Sequence, residues 1–279
     1  MFGKAVIAQI KLLMRQKEAI ITFCILLAMC LFNYAGNVLA FRGYDLIEMY
    51  HPMKLLLLSY NRVNYSADNT LFFMQLYPLL VICPSGFSFI KEQQTKQESL
   101  LAARTGLSTY RWSKVIASFV VTFIIFTVPF LVEMALNCIA FPLEATGDLL
   151  NMGFYSAEYM ESVHNYVWHT LFMKSSYLYT LLCILLFGAV TGLLGTVIVV
   201  LTFLIRVRYK VLLFIPMYVL LNATLYIESM FPGINTGWCN YMLLFCDENR
   251  NYSYFLITLF FCILFVIGGT IYSSKKELL

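Results

Sequence analysis

The sequence predicts an all-α integral membrane protein. Six transmembrane helices are joined by an N-terminal interfacial helix, a short cytoplasmic helix after the second span and an external re-entrant hairpin between the last two spans. Three observations predict this. Six apolar stretches recur along the 279 residues: Ala19–Phe41, Leu71–Ile90, Val115–Cys138, Tyr177–Ile205, Val211–Ile227 and Tyr254–Tyr272. The chain is 61% hydrophobic and 12% charged, about half the charge of a soluble domain, with a mean hydropathy of +0.77. The basic residues are also lopsided. If both termini share one side, that side holds fourteen of the 19, leaving only Arg42, Lys54, Arg62, Lys174 and Arg250 opposite. The positive-inside rule then places both termini in the cytoplasm. The whole chain, 1–279, reads as one membrane domain.

The elements follow in order. In residues 1–17, Phe2, Val6, Ile10 and Leu13 recur at helical spacing, with Lys4, Lys11 and Arg15 off that stripe. This predicts a helix with its apolar face in the headgroups and its basic face toward anionic lipid or a partner. The first span is longer than a signal-peptide core and lacks a clear cleavage site, so it reads as retained. The first external loop contains Met53–Leu58, apolar but too short to cross, expected at the interface. Pro78 and Pro84 should kink the second span. In the fourth span, Gly188 and Gly192 allow close helix approach, expected within the subunit. The segment 228–253 is too broken to span and too apolar for a free loop, so an external hairpin is expected. Within it Cys239 and Cys246 lie close in sequence, and either a disulfide or two free thiols fits that spacing.

Chemistry is sparse. There is no G-x-x-x-x-G-K-[ST] loop to hold ATP, no H-E-x-x-H and no G-x-S-x-G, so no catalytic residues are assigned. No C-x-x-C or Cys/His cluster suggests a metal site, and no cofactor is expected on the chain. Glu133 is the one ionisable residue well inside a span. It is expected near the outer end, either reaching water or facing an outer vestibule. The connection Lys91–Lys114 reads KEQQTKQESLLAARTGLSTYRWSK. Lys91–Arg104 predicts one helix that Gly106 terminates, with Tyr110, Arg111, Trp112 and Lys114 anchoring the next span at the interface.

The run ESLLAARTGLSTYRWSKVIASFVV resembles the segment after the second span in type-2 ATP-binding-cassette exporter permeases. The six-span layout is similar too, most of all to small bacterial permeases that export or expel peptides. The resemblance implies a coupling helix with Gln93, Gln94, Gln97, Glu98, Leu101, Arg104 and Gly106 at its contact with the ATPase. It implies two permease copies, as homo- or heterodimer, and two separate ATPase subunits that carry ATP and magnesium. It also implies an amphipathic or hydrophobic peptide substrate, a location in the bacterial cell membrane and no nucleic-acid partner. Second and fifth spans face the pathway in that family, which makes Phe72, Gln75, Tyr77, Tyr218 and Asn222 pathway candidates, with Glu133 beside them. The alternative is a secondary transporter or channel subunit not driven by ATP.

Overall fold

The computed structural model describes residues 2–42, 52–59, 67–95, 97–141, 168–205, 209–230, 237–244 and 252–275. The described chain is helical: α1 (Phe2–Met14), α2 (Lys17–Phe41), a 3-10 turn (Pro52–Leu55), α3 (Ala67–Ile82), α4 (Gly86–Gln94), α5 (Gln97–Thr105) and α6 (Leu107–Ala140). After these come α7 (His169–Lys174), α8 (Ser176–Leu204), a second 3-10 turn (Lys210–Leu213), α9 (Phe214–Met230), α10 (Cys239–Met242) and α11 (Tyr252–Lys275). The one β-type contact among the described residues is an isolated parallel bridge between Ser59 and Leu244.

Among the described residues, five segments are long and apolar enough to cross a membrane: Lys17–Phe41, Asn69–Gln94, Leu107–Ala140, Ser176–Leu204 and Phe255–Lys275. The expected fifth span is shorter. Its helix α9 has 17 residues, a rise of about 25 Å, which is under the thickness of a hydrocarbon core. Pro216 sits in the first turn of α9, where its missing N–H costs nothing. The second span breaks at Cys83–Ser85, as the Pro84 kink requires. Exposed apolar side chains crowd α11, among them Leu256, Ile257, Phe260, Phe261, Ile263 and Leu264.

The long helix α6 is the hub, packed by α1, α2, α8 and α11. Its closest neighbour is α8, and the glycines explain the fit. A Cβ on Gly188 would stand 2.1 Å from Thr127 Oγ1, and one on Gly192 would stand 3.1 Å from the Phe119 backbone oxygen. The small-residue stripe therefore packs within the subunit, as expected. Midway along the bundle an aromatic plug fills the interior. Phe73, Tyr77, Phe126, Phe130 and Phe187 pack as tilted and edge-on pairs 5.5–6.3 Å apart. Trp238, just before α10, stacks on Tyr77 at 4.5 Å. Residues 237–244 thus insert into the bundle, and Leu244 N–H donates to the Leu58 carbonyl at 2.9 Å.

Two expectations need correction here. Met53–Leu58 is not interfacial: Met53, Leu55, Leu56, Leu57 and Leu58 are at most 1% exposed, because the segment turns in among α2, α3 and α6. The stripe of α1 does not all face headgroups either. Leu13 is buried in the core cluster and Ile10 packs against it, while Ile7 and Met14 are exposed on the same face as Lys4 and Lys11.

Gly188→Ala should force α6 and α8 apart at Thr127, with a loss of about 1–3 kcal/mol. Gly36→Ala, where nothing lies within 4 Å of the added atom, should be neutral or slightly stabilising. Thermal unfolding of the two variants in one detergent checks the contrast.

Candidate functional site

The bundle has two buried polar clusters, one at each end. The end that carries α1 and α5 is termed proximal, the other distal.

The proximal cluster grows from α4 and the first turns of α6. Helical spacing puts Ser88 and Glu92 on one face of α4 and Tyr110 and Lys114 on one face of α6. Lys114 Nζ donates to Glu92 Oε1 at 2.5 Å and to Ser88 Oγ at 2.9 Å. Tyr110 donates its hydroxyl to Glu92 Oε2 at 2.5 Å. Gln16 Nε2 donates to Ser88 at 2.7 Å, and Gln9 Oε1 of α1 accepts from Lys114 at 3.5 Å. Lys114 is 0% exposed and Glu92 2%. Charges that deep persist only when paired and hydrogen-bonded, and both carboxylate oxygens and the ammonium are engaged.

Arg111, on the adjoining face of α6, extends the cluster. Its guanidinium lies 3.7 Å from Glu98 of α5, sits 5.4 Å over the Phe203 ring of α8, and donates to the Ser273 carbonyl of α11. Helices from both halves of the chain are therefore tied to one stretch of α6 through ionised side chains.

Several sequence expectations meet this geometry. Lys91–Arg104 is not a single helix. It is divided between α4 and α5, the break falling where the Thr95 N–H and hydroxyl both turn back onto the Lys91 carbonyl, at 3.0 and 2.8 Å. Gly106 does stop α5. It has φ +83, a value that favours glycine, and its N–H donates to the Ala102 carbonyl at 2.8 Å. Tyr110, Arg111 and Lys114 are not headgroup anchors, because Glu92 and Glu98 draw them inside. Of the coupling candidates, Gln94, Gln97, Arg104 and Gly106 are exposed, and Gln93 and Leu101 are half-buried. Glu98 is not on an open face: it is 8% exposed beside Arg111. Leu100, close by on α5, is 66% exposed.

The distal cluster holds the inserted Pro52–Ser59 segment. Asn33 and Asn37 of α2 both donate to the Leu55 carbonyl, at 2.9 and 2.8 Å. Thr70 donates to the Leu57 carbonyl at 3.0 Å, and Asn137 to that of Pro52 at 3.3 Å. Glu133 Oε1 accepts from Leu57 N–H at 2.9 Å and from Asn33 Nδ2 at 2.7 Å. Backbone outside the α-helices at this depth needs such partners. Glu133 therefore neither reaches water nor faces a vestibule. It is 0% exposed, because the inserted segment covers it.

The pathway candidates separate. Phe72 and Tyr218 face outward, Gln75 lies on the outer side of α3, Asn222 is half-buried, and Tyr77 lies inside the plug with its hydroxyl 2.9 Å from Thr191 Oγ1. Tyr77 is packed on several sides by aromatic rings in this structure. Phe72 lines an apolar groove of about 680 Å³ between α2 and α3, with Ile25, Met29, Phe32 and Asn69, and Leu57 at its base. Cys239 is buried in α10, and Cys246 lies outside the described residues. Among the described residues no group of His, Cys, Asp and Glu could hold a metal ion.

The sequence reading overlooked Glu92, Asn33, Asn37 and Asn137. A signal was present: Asn33/Asn37 and Glu133/Asn137 are i, i+4 pairs inside apolar spans, each presenting two polar groups on one helix face. No protein-family model matches the chain, and no curated protein or solved structure is significantly similar to it. What fold and site define is a multi-pass, membrane-type helical bundle.

Lys114→Met alone should cost about 3–5 kcal/mol, because it strands the Glu92 carboxylate. The double variant Lys114→Met/Glu92→Leu should recover most of that loss. A double-mutant cycle in denaturant unfolding measures the difference.

Proposed function

We propose that this chain is the membrane-spanning subunit of an ATP-driven exporter for an amphipathic or hydrophobic peptide. Two copies, each with six spans and both termini in the cytoplasm, work with two separate ATPase subunits. The observation that carries the reading is α5. It is a short helix held against α6 through Glu98 and Arg111, and its free face presents Gln97, Leu100 and Arg104. On a face that meets water, a leucine two-thirds exposed between polar residues suits a partner's pocket. A helix tied by charge to the hub of the bundle passes a push from that partner into α6 with little slack.

The solid aromatic interior supports a route outside the single subunit, between two copies or along the lipid-facing grooves. An amphipathic peptide suits such a route, and Phe72 and Tyr218 remain candidates for it on their exposed faces. ATP binding drives the cycle to the extent that it favours one permease state over another. The second reading is a secondary transporter without an ATPase. The buried Glu133 favours it, although that carboxylate lies about 10 Å from the distal end of α6 and away from the midplane where such groups gather.

Leu100→Glu tests the exporter reading without disturbing the core. We expect normal membrane abundance and unfolding, at least about a tenfold loss of co-purified ATPase, and lost peptide export. A Leu100→Glu protein that keeps its ATPase and exports normally overturns α5 as the contact. Export by the wild-type chain in ATP-free vesicles with an ion gradient establishes the second reading instead.

A further inference from the structure

Glu133 and Asn137 stand one helical turn apart on the α6 face that holds the inserted segment, and both are 0% exposed. Glu133 Oε1 already accepts two hydrogen bonds. Nothing donates to its other oxygen, Oε2, by hydrogen-bond geometry, and nothing donates to Asn137 Oδ1. Asn137 has spent its amide nitrogen on the Pro52 carbonyl. Two buried acceptors on neighbouring positions of one face thus lack an N–H or O–H donor, and the Cys30 thiol is the one further weak donor beside Glu133.

The charge is equally unbalanced. The ion pairs among the described residues are Lys114–Glu92 and Arg111–Glu98, both at the proximal end. Facing Glu133 from α2 are Asn33 and the Cys30 thiol, and from the inserted segment the Leu57 N–H. Asn69 and Thr70 of α3 and Asn37 of α2 complete the cluster, all of them neutral. Neither of these two ion pairs involves Glu133. Burial among these neutral groups disfavours a bare carboxylate relative to the neutral acid. One proton on Oε2 removes the charge and turns Oε2 into a donor, one helical turn from the unfilled acceptor of Asn137. A metal cation fits worse: hard cations take about six to eight oxygens, and the carbonyls of Pro52, Leu55 and Leu57 are already accepting from Asn137, Asn33, Asn37 and Thr70.

We propose that Glu133 and Asn137 form a buried proton-binding site that latches the Pro52–Ser59 segment into the distal end of the bundle, and that loss of the proton releases the segment. Ionised Glu133 needs water, and the Leu57 backbone is what stands over it. Because Leu57 also forms the base of the apolar groove between α2 and α3, release joins that groove to the interior. The latched state holds one proton more than the released state. Raising the pH therefore favours release, by about tenfold per pH unit while the proton is being lost. This proposal stands apart from the exporter reading, and its test involves neither ATP nor an ATPase.

The test uses the full-length chain in lipid nanodiscs with Ser59→Cys as the reporter, since Ser59 is 1% exposed in the latched segment. Alkylation at position 59 is read by peptide mass spectrometry across pH, with and without Glu133→Gln. Glutamine keeps the acceptor and supplies an N–H toward Asn137, so it mimics the protonated acid. Expected is a labelling ratio, Glu133 over its Gln variant, that climbs about tenfold per pH unit on the alkaline side. The infrared spectrum should also carry a neutral-carboxyl band at low pH that Glu133→Gln removes. Equal pH dependence in both backgrounds overturns the latch, and so does the lack of that band at every pH. Labelling that responds to sodium at fixed pH assigns the site to a metal cation and also overturns it. If Glu133→Gln fails to fold while Glu133→Asp folds, the carboxylate must be charged, and the proton latch is again overturned.

Discussion

The pairing of Lys114 with Glu92 is the interaction on which the rest of the bundle depends. An ammonium and a carboxylate at 0% and 2% exposure are tolerable only at hydrogen-bonding range, so α4 and α6 must meet in one register. Once they do, Tyr110 reaches the second carboxylate oxygen, Ser88 lies under the ammonium, and Gln9 and Gln16 bring α1 and the start of α2 to the same point. Arg111 follows one face over and fixes α5 and α11. Burial of apolar surface holds such helices together without choosing one register over another. Here the charges choose.

The opposite end solves a different problem with neutral groups. A short segment with only one 3-10 turn enters the bundle, and its carbonyls meet a ring of amides and a hydroxyl, which spares the backbone an unmet hydrogen bond. Between the ends, the aromatic plug with Trp238 stacked on Tyr77 leaves the interior closed. The two polar clusters are thus separated by a packed apolar layer, and whatever passes between them passes as movement of helices, α6 above all.

Much of the architecture was legible in the sequence because hydrophobic length is a property of consecutive residues. Five of six stretches read as spans appear as helical segments of membrane-crossing length, the second of them broken at Pro84 as expected, and Gly106 ends α5. Positions with a partner far along the chain were not legible. Glu92 and Lys114 are 22 residues apart, and Asn33 and Glu133 are 100 apart. A charge read by itself suggests solvent, which is why Glu98, Arg111 and Glu133 were expected at surfaces. Leu56 and Leu57 likewise looked interfacial, since no local pattern separates a lipid surface from the inside of a bundle.

The bond from Arg111 to the Ser273 carbonyl spans 162 residues, and this has a consequence for biosynthesis. At about 5–20 residues per second, roughly ten to thirty seconds pass between the synthesis of the arginine and that of its acceptor. During that interval the earlier apolar helices exist without their final partner, and Arg111 must stay near water or borrow another acceptor. The nascent chain therefore cannot close its proximal end until the last helix has left the ribosome. Premature termination in that helix would leave a molecule mostly inserted yet open at the base, with Arg111 short of its acceptor.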